Sequence, residues 1–203
     1  MALQPRQHHQ AAVKSLIFIP VIFLFGCGGG TTTPAWQASA KSSLDAFQQA
    51  YLRGDTRVAE AEFRIARAEL ASTGSAAQVG RAELIRCAAR TASLEFDDCP
   101  GFEKLRADAG PEEIAFADYL AGRAARPVGE DAFSKLVSLG VRLKGNRITP
   151  PDIEAAIDIS SAQGWRRPLL AWLGVQEKRA EAAGDAAALE RIRRRIALVS
   201  GKS

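Results

Sequence analysis

The sequence predicts an all-α fold of antiparallel helical hairpins, a TPR-like short solenoid or bundle, on three observations. Apolar residues recur at helical spacing: Trp36, Ala40, Leu44, Phe47 and Tyr51 fall four, four, three and four apart, one face of an amphipathic helix. No stretch shows the period-two alternation of a half-buried strand. Turns built on Gly, Pro and Asp punctuate the chain, and short connections make neighbouring helices antiparallel.

The first helix ends at Gly54, after which Asp55 caps the next. From Thr56 to Ser72 the apolar face is wide, with Val58 and Ile65 on one side and Ala59, Phe63, Ala66 and Leu70 on the other. Arg57, Glu60, Arg64 and Arg67 take the opposite face. Gly74-Ser75 breaks the chain, and residues 76–94 form a third helix with Gly80, Leu84, Cys87, Thr91 and Leu94 inward and Glu83, Arg86 and Arg90 outward. Cys99, followed by Pro100-Gly101, lies in the turn beyond it.

Gly110-Pro111-Glu112-Glu113 is a helix start, with Pro in the first turn and carboxylates at the positive end of the dipole. That helix carries Ile114, Phe116, Ala117, Tyr119 and Leu120 to a stop at Gly122. A shorter one over 129–139 contributes Phe133, Leu136 and Val137, and 140–147 reads as irregular. Thr149-Pro150-Pro151-Asp152 opens a helix over 153–163, ended by Gly164. Residues 165–183 follow, with Pro168 tolerated because it falls in the first turn. Gly184-Asp185 repeats the stop-then-cap device of Gly54-Asp55 before a last helix through Leu198.

Ahead of these helices, Met1 to Lys14 is polar and carries Arg6 and Lys14, Leu16 to Phe25 is almost unbroken apolar, and Gly26-Cys27 follows. This is the layout of a secretory signal, and its apolar run is shorter than the roughly 20 residues a spanning helix needs. Leu24-Phe25-Gly26-Cys27 resembles the lipobox of bacterial lipoproteins. The resemblance implies cleavage before Cys27, lipidation of that cysteine and, with Gly28 following it, an outer-membrane location facing the periplasm. The rival reading is a secretory signal cleaved elsewhere, or an uncleaved anchor, with Cys27 incidental. The domain organisation expected is a signal peptide over 1–26, a lipidated cysteine with a flexible Gly/Thr tether over 27–35, and a helical domain over 36–203. Within that domain, Leu173-Gly174, Ala180 and Gly184-Asp185 resemble pieces of a tetratricopeptide helix-turn-helix, with a fainter version from Phe47 to Ala66. That implies TPR-like stacking, although helix lengths vary and no period of about 34 residues runs through the chain.

Taking 26 of the 203 residues away leaves 177, enough for one domain with a real core, and removes Arg6 and Lys14, so the net charge falls from +4 to +2. A nearly neutral chain without a concentrated basic face points away from nucleic acid. Both histidines, His8 and His9, fall in the cleaved segment, which excludes Ser-His-Asp and Cys-His chemistry and the usual zinc ligand sets from the mature chain. Cys87 and Cys99, twelve apart, then read as a disulfide in an oxidising envelope, stabilising the fold by about 3 kcal/mol in the chain-entropy model. The alternative, a redox pair, lacks the C-x-x-C spacing.

Three further constellations stand out. Glu62 and Glu69 point toward the apolar side of the second helix, with Arg81 on the inward side of the third as their partner. They read either as a buried ion pair that fixes helix register or as a ligand or cation pocket. Trp165-Arg166-Arg167 and Trp172 are the densest aromatic and basic cluster, read either as a partner surface or as core tryptophans with arginines reaching outward. The last helix carries Arg191, Arg193, Arg194 and Arg195, read either as a membrane or nucleic-acid surface or as a solvated face beside a packing stripe of Leu189, Ile192, Ile196 and Val199. No catalytic residue, metal ligand set or cofactor motif emerges, and paired carboxylates are the only acid-base option. The expectation is a lipid-anchored, non-enzymatic binding or scaffolding module for another envelope protein. The alternative is a cell-wall carboxylate enzyme or a small-ligand-binding lipoprotein.

Overall fold

The computed structural model of the protein describes residues 33–201, which form helices and the turns between them. Ser15–Cys27, with the lipobox and Cys27 itself, the tether as far as Thr32, and His8 and His9 all lie outside the described residues. No helix among the described residues is long and apolar enough to cross a membrane.

The chain opens with α1 (Ala35–Arg53) and α2 (Thr56–Ala71), joined by the tight turn at Gly54-Asp55. Gly54 takes φ 92°, a conformation that favours glycine, and its N–H closes onto the last turn of α1, while Asp55 accepts from the Val58 N–H at 3.0 Å. Ser75 caps α3 (Ala76–Ala92). A single helical turn, α4 (Pro100–Glu103), and a 3-10 turn at Arg106–Asp108 lead to α5 (Pro111–Leu120). Then come α6 (Ala132–Lys144), α7 (Pro150–Ala162), α8 (Arg166–Ala183) and α9 (Ala186–Ser200). Gly184 and Asp185 repeat the device of Gly54 and Asp55: φ 68°, then a carboxylate accepting from the Ala188 N–H at 2.9 Å. The fold is all-α, as the spacing predicts.

The helices assemble around α3, which packs against α1, α2, α4, α5 and α6. Its composition allows this: Gly80, Ala82, Ala88, Ala89 and Ala92 are all buried, and small side chains let several neighbours approach one axis. The core around it contains Phe47, Leu52, Phe63, Leu84, Phe102, Leu120, Leu136 and Leu173, with Phe47 and Phe63 joining α1 to α2 at 5.2 Å between ring centroids. On the other side α7, α8 and α9 pack in succession, and α8 returns to α1.

The structure corrects four sequence expectations here. α6 does not stop at Leu139 but runs through Gly140 to Lys144, because Gly140 is a packing position: a β-carbon there would meet the backbone carbonyl of Thr91. Helix α6 ends instead at Gly145, with Asn146 in the left-handed region. The turn after α3 contains α4, which the short sequence between Cys99 and Glu103 does not announce. Val58 and Ile65 are 39% and 47% exposed, because α2 buries the Ala59, Phe63 and Ala66 side instead. Glu83, expected outward, is 8% exposed, since a helix surrounded by neighbours has little outward face.

Candidate functional site

Cys87 sits on the buried side of α3 and Cys99 precedes α4, with the two sulfurs at bonding distance and the α-carbons 5.6 Å apart. The disulfide ties the end of α3 to the loop that leaves it. Asp97 fastens the same loop: its carboxylate accepts from the Cys99 N–H at 3.0 Å and lies 3.1 Å from Arg90 Nε, although that N–H does not point at it. Lys144 Nζ donates to the Asp97 carbonyl at 3.4 Å, bringing α6 to the corner. Because the sulfurs are bonded to each other, the Cys87, Asp97 and Cys99 group offers no thiolate to a metal.

Around this corner the charged side chains are committed to one another. Arg86 grips both Glu60 carboxylate oxygens at 2.9 and 3.0 Å, and Arg67 donates to Glu83 at 2.9 Å. Asp118 accepts from Arg123 at 2.7 Å and from Arg106 at 3.0 Å, and the two guanidiniums hold its carboxyl below the usual carboxylate range. A carboxylate held ionised in this way is poorly suited to donate a proton as a general acid.

The predicted grouping of Glu62, Glu69 and Arg81 does not form. Arg81 is bonded to Glu113 at the start of α5, because α5 rather than α2 covers that side of α3. Glu113, the third residue of its helix, is 6% exposed, and a β-carbon on Gly110 would stand 2.6 Å from its carboxylate. Glu69 accepts from the Ser39 hydroxyl at 3.3 Å, and Glu62 and Glu69 are half-buried beside the exposed Val58 and Ile65. The signal for Glu113 was present in Gly110-Pro111-Glu112-Glu113, where a carboxylate three residues past the cap reaches back to it.

The tryptophan surface is also corrected. Trp165 and Trp172 are 4% and 0% exposed, so they belong to the core and not to a partner surface. Trp165 meets Phe133 edge-on at 6.5 Å, and Trp172 Nε1 donates to the Ala92 carbonyl of α3 at 3.2 Å. Arg167 is a clamp: its guanidinium lies 4.2 Å from the Tyr51 ring centroid and donates to the Tyr51 carbonyl, to Thr56 and to Glu95 at 2.8, 2.6 and 3.1 Å. Burial, then Glu95, pushes the Tyr51 phenol above its ordinary value. Arg166 remains exposed, against the Gly54 turn.

The third tryptophan behaves differently. Trp36, in the first turn of α1, is half-buried at the end of an apolar groove of about 370 Å³ between α1, α2 and α3. Ala40, Leu44, Leu70, Ala82 and Ile85 line it. Gln78 also faces it, and its side-chain carbonyl oxygen is buried without a hydrogen-bond donor. Lys41, Asp45 and Arg81 form a charged rim. Helix spacing shows that Trp36, Ala40 and Leu44 share a face; that the face is left partly open depends on where α2 and α3 end. No protein-family model matches the chain, and comparison with the curated proteins and with the solved structures finds no match.

Proposed function

We propose that the protein is a lipid-anchored envelope protein whose helical domain binds another envelope protein, and that the α1–α2–α3 groove is where it does so. The groove carries the reading. It is a concave, mostly apolar surface with a half-exposed Trp36, large enough for apolar side chains from one face of a helix or an extended segment. Gln78 supplies an acceptor that a partner donor would satisfy, and an unpaired buried acceptor is costly until it is satisfied. The mixed rim of Lys41, Asp45 and Arg81 would set orientation and discourage wrong partners. Lipidation at Cys27 would place the groove near a membrane, since Trp36 follows the cysteine by only nine residues.

Two measurements test the two halves separately. Fatty-acid labelling and signal-peptidase inhibition should respectively mark and block processing of the wild-type chain, and neither should act on Cys27→Ala. Unlabelled wild-type protein would overturn the anchor. A photo-crosslinking residue at Leu44 should trap a discrete partner in envelope membranes, and Ile85→Glu should abolish the crosslink while leaving the helical circular dichroism and melting temperature near wild type. A crosslink that survives in folded Ile85→Glu would overturn the groove.

A further inference from the structure

A second concavity lies between α5 and α6, bordered by the loop that joins them. Its volume is about 280 Å³. Phe116 and Tyr119 form one wall as a near-parallel aromatic pair, with ring centroids 6.1 Å apart and planes inclined by 17°. Phe133 and Val137 of α6 form the other. Arg126, from the loop, lies over the Phe116 ring with its guanidinium carbon 4.8 Å from the centroid, and Ser134 brings a hydroxyl to the lining.

The charge in this cavity is unspent. Most arginines lining the protein's other clefts are matched: Arg106 and Arg123 hold Asp118, Arg67 holds Glu83, and Arg86 holds Glu60. Arg126 makes no ion pair with a carboxylate among the described residues. The two acids of its own loop are engaged elsewhere, Glu130 with Lys135 at 3.3 Å and Asp131 as the cap of α6, accepting from the Ser134 N–H at 2.9 Å. Beside it the loop holds Val128 46% exposed, at the lining of the same cavity. A lone guanidinium over an aromatic wall, with an exposed apolar side chain next to it, asks for a ligand that is flat and apolar over most of its surface and anionic at one end.

We propose that the α5–α6 cavity is a binding site for a small aromatic monocarboxylate, with its ring against Phe116 and Phe133 and its carboxylate on Arg126. A guanidinium pairs with a carboxylate through two parallel N–H groups, which fixes the orientation of the ligand. Ser134 also lines the cavity, its hydroxyl turned to the Asp131 carboxylate. This site is independent of the α1–α2–α3 groove, shares no residue with it, and stands whether or not the groove binds a partner.

The probe pair is 1-naphthoate and its neutral counterpart 1-naphthylmethanol, titrated by calorimetry and followed by the aromatic NMR resonances of the protein. Naphthoate should bind saturably and at least about tenfold more tightly than the alcohol, a difference of about 1.4 kcal/mol. Arg126→Met should bring naphthoate down to the level of the alcohol and leave the alcohol unchanged, while Arg123→Met should change neither. Val137→Trp, which fills the cavity, should abolish both. Equal binding of the two probes, naphthoate binding undiminished in Arg126→Met, or no saturable binding to the wild type would each overturn the site. Arg126 lies in an exposed loop, so its variant tests the site even if the Val137 variant fails to fold.

Discussion

Arg81 and Glu113 pair across α3 and α5 with unequal surroundings: the guanidinium side chain is 64% exposed while the carboxylate is almost covered. The Arg81 hydrogen bond, and then backbone N–H groups, hold the Glu113 carboxyl below its ordinary value. A carboxyl whose folded pKa lies below its unfolded pKa adds stability that is present above the unfolded value, near 4.3, and is lost as pH falls through the folded one. Glu113→Gln should therefore flatten the acid limb of the melting temperature below about pH 4.3, and cost something above it. The size should stay within about 1 kcal/mol at neutral pH, because solvent screens the arginine. Identical acid limbs in wild type and variant would remove the pair from the stability of the fold. The partner of Arg81 was not legible in the sequence: helical periodicity places it on the inward side of α3 but does not say which helix lies there.

Among the elements, the α3–α6 crossing shows how one missing side chain sets the distance between two helices. Gly140 lies against the Thr91 carbonyl, a backbone atom that cannot turn aside. Alanine would gain about 1 kcal/mol of helix propensity, but overpacking against a rigid neighbour costs roughly 1–3 kcal/mol. The steric cost wins, so Gly140→Ala should lower stability in urea unfolding. Gly174 in α8 is the internal control, since a β-carbon there meets nothing within 4 Å. Gly174→Ala should be neutral or stabilising by up to about 1 kcal/mol. If both substitutions shift the midpoint alike, propensity and not packing governs these glycines. The same contrast explains what could be read in advance. The caps at Asp55 and Asp185 were legible because a cap is made within four residues, whereas Gly140 looks like a helix stop until α3 is placed beside it. Trp165 and Trp172 were ambiguous for the same reason: an adjacent arginine pair suits a surface or a core edge equally well.

Across the whole molecule, burial falls steeply from the centre to the C-terminus. Helix α3 buries ten of its seventeen residues, while α9 buries only Ile192 and otherwise leans on α8 through partly covered side chains and the Arg193 bonds to Glu177 and Glu181. Local opening is easiest where few apolar contacts must break. Amides of α9 should therefore exchange with deuterium well before those of α3, and uniform protection across the two would show a single cooperative unit. The all-helical architecture was legible from periodicity alone; the radial order was not, because it arises from the Ala-rich surface of one helix receiving five partners.

That central position of α3 has an evolutionary reading. A solenoid grows or shrinks by copying or dropping an identical module, since each module touches only the next. A chain gathered around one hub lacks that freedom: a duplicated α1–α2 pair would find no second α3 to lean on. Lineages descended from this chain should consequently vary in their loops and in α9 far more than in their number of helices.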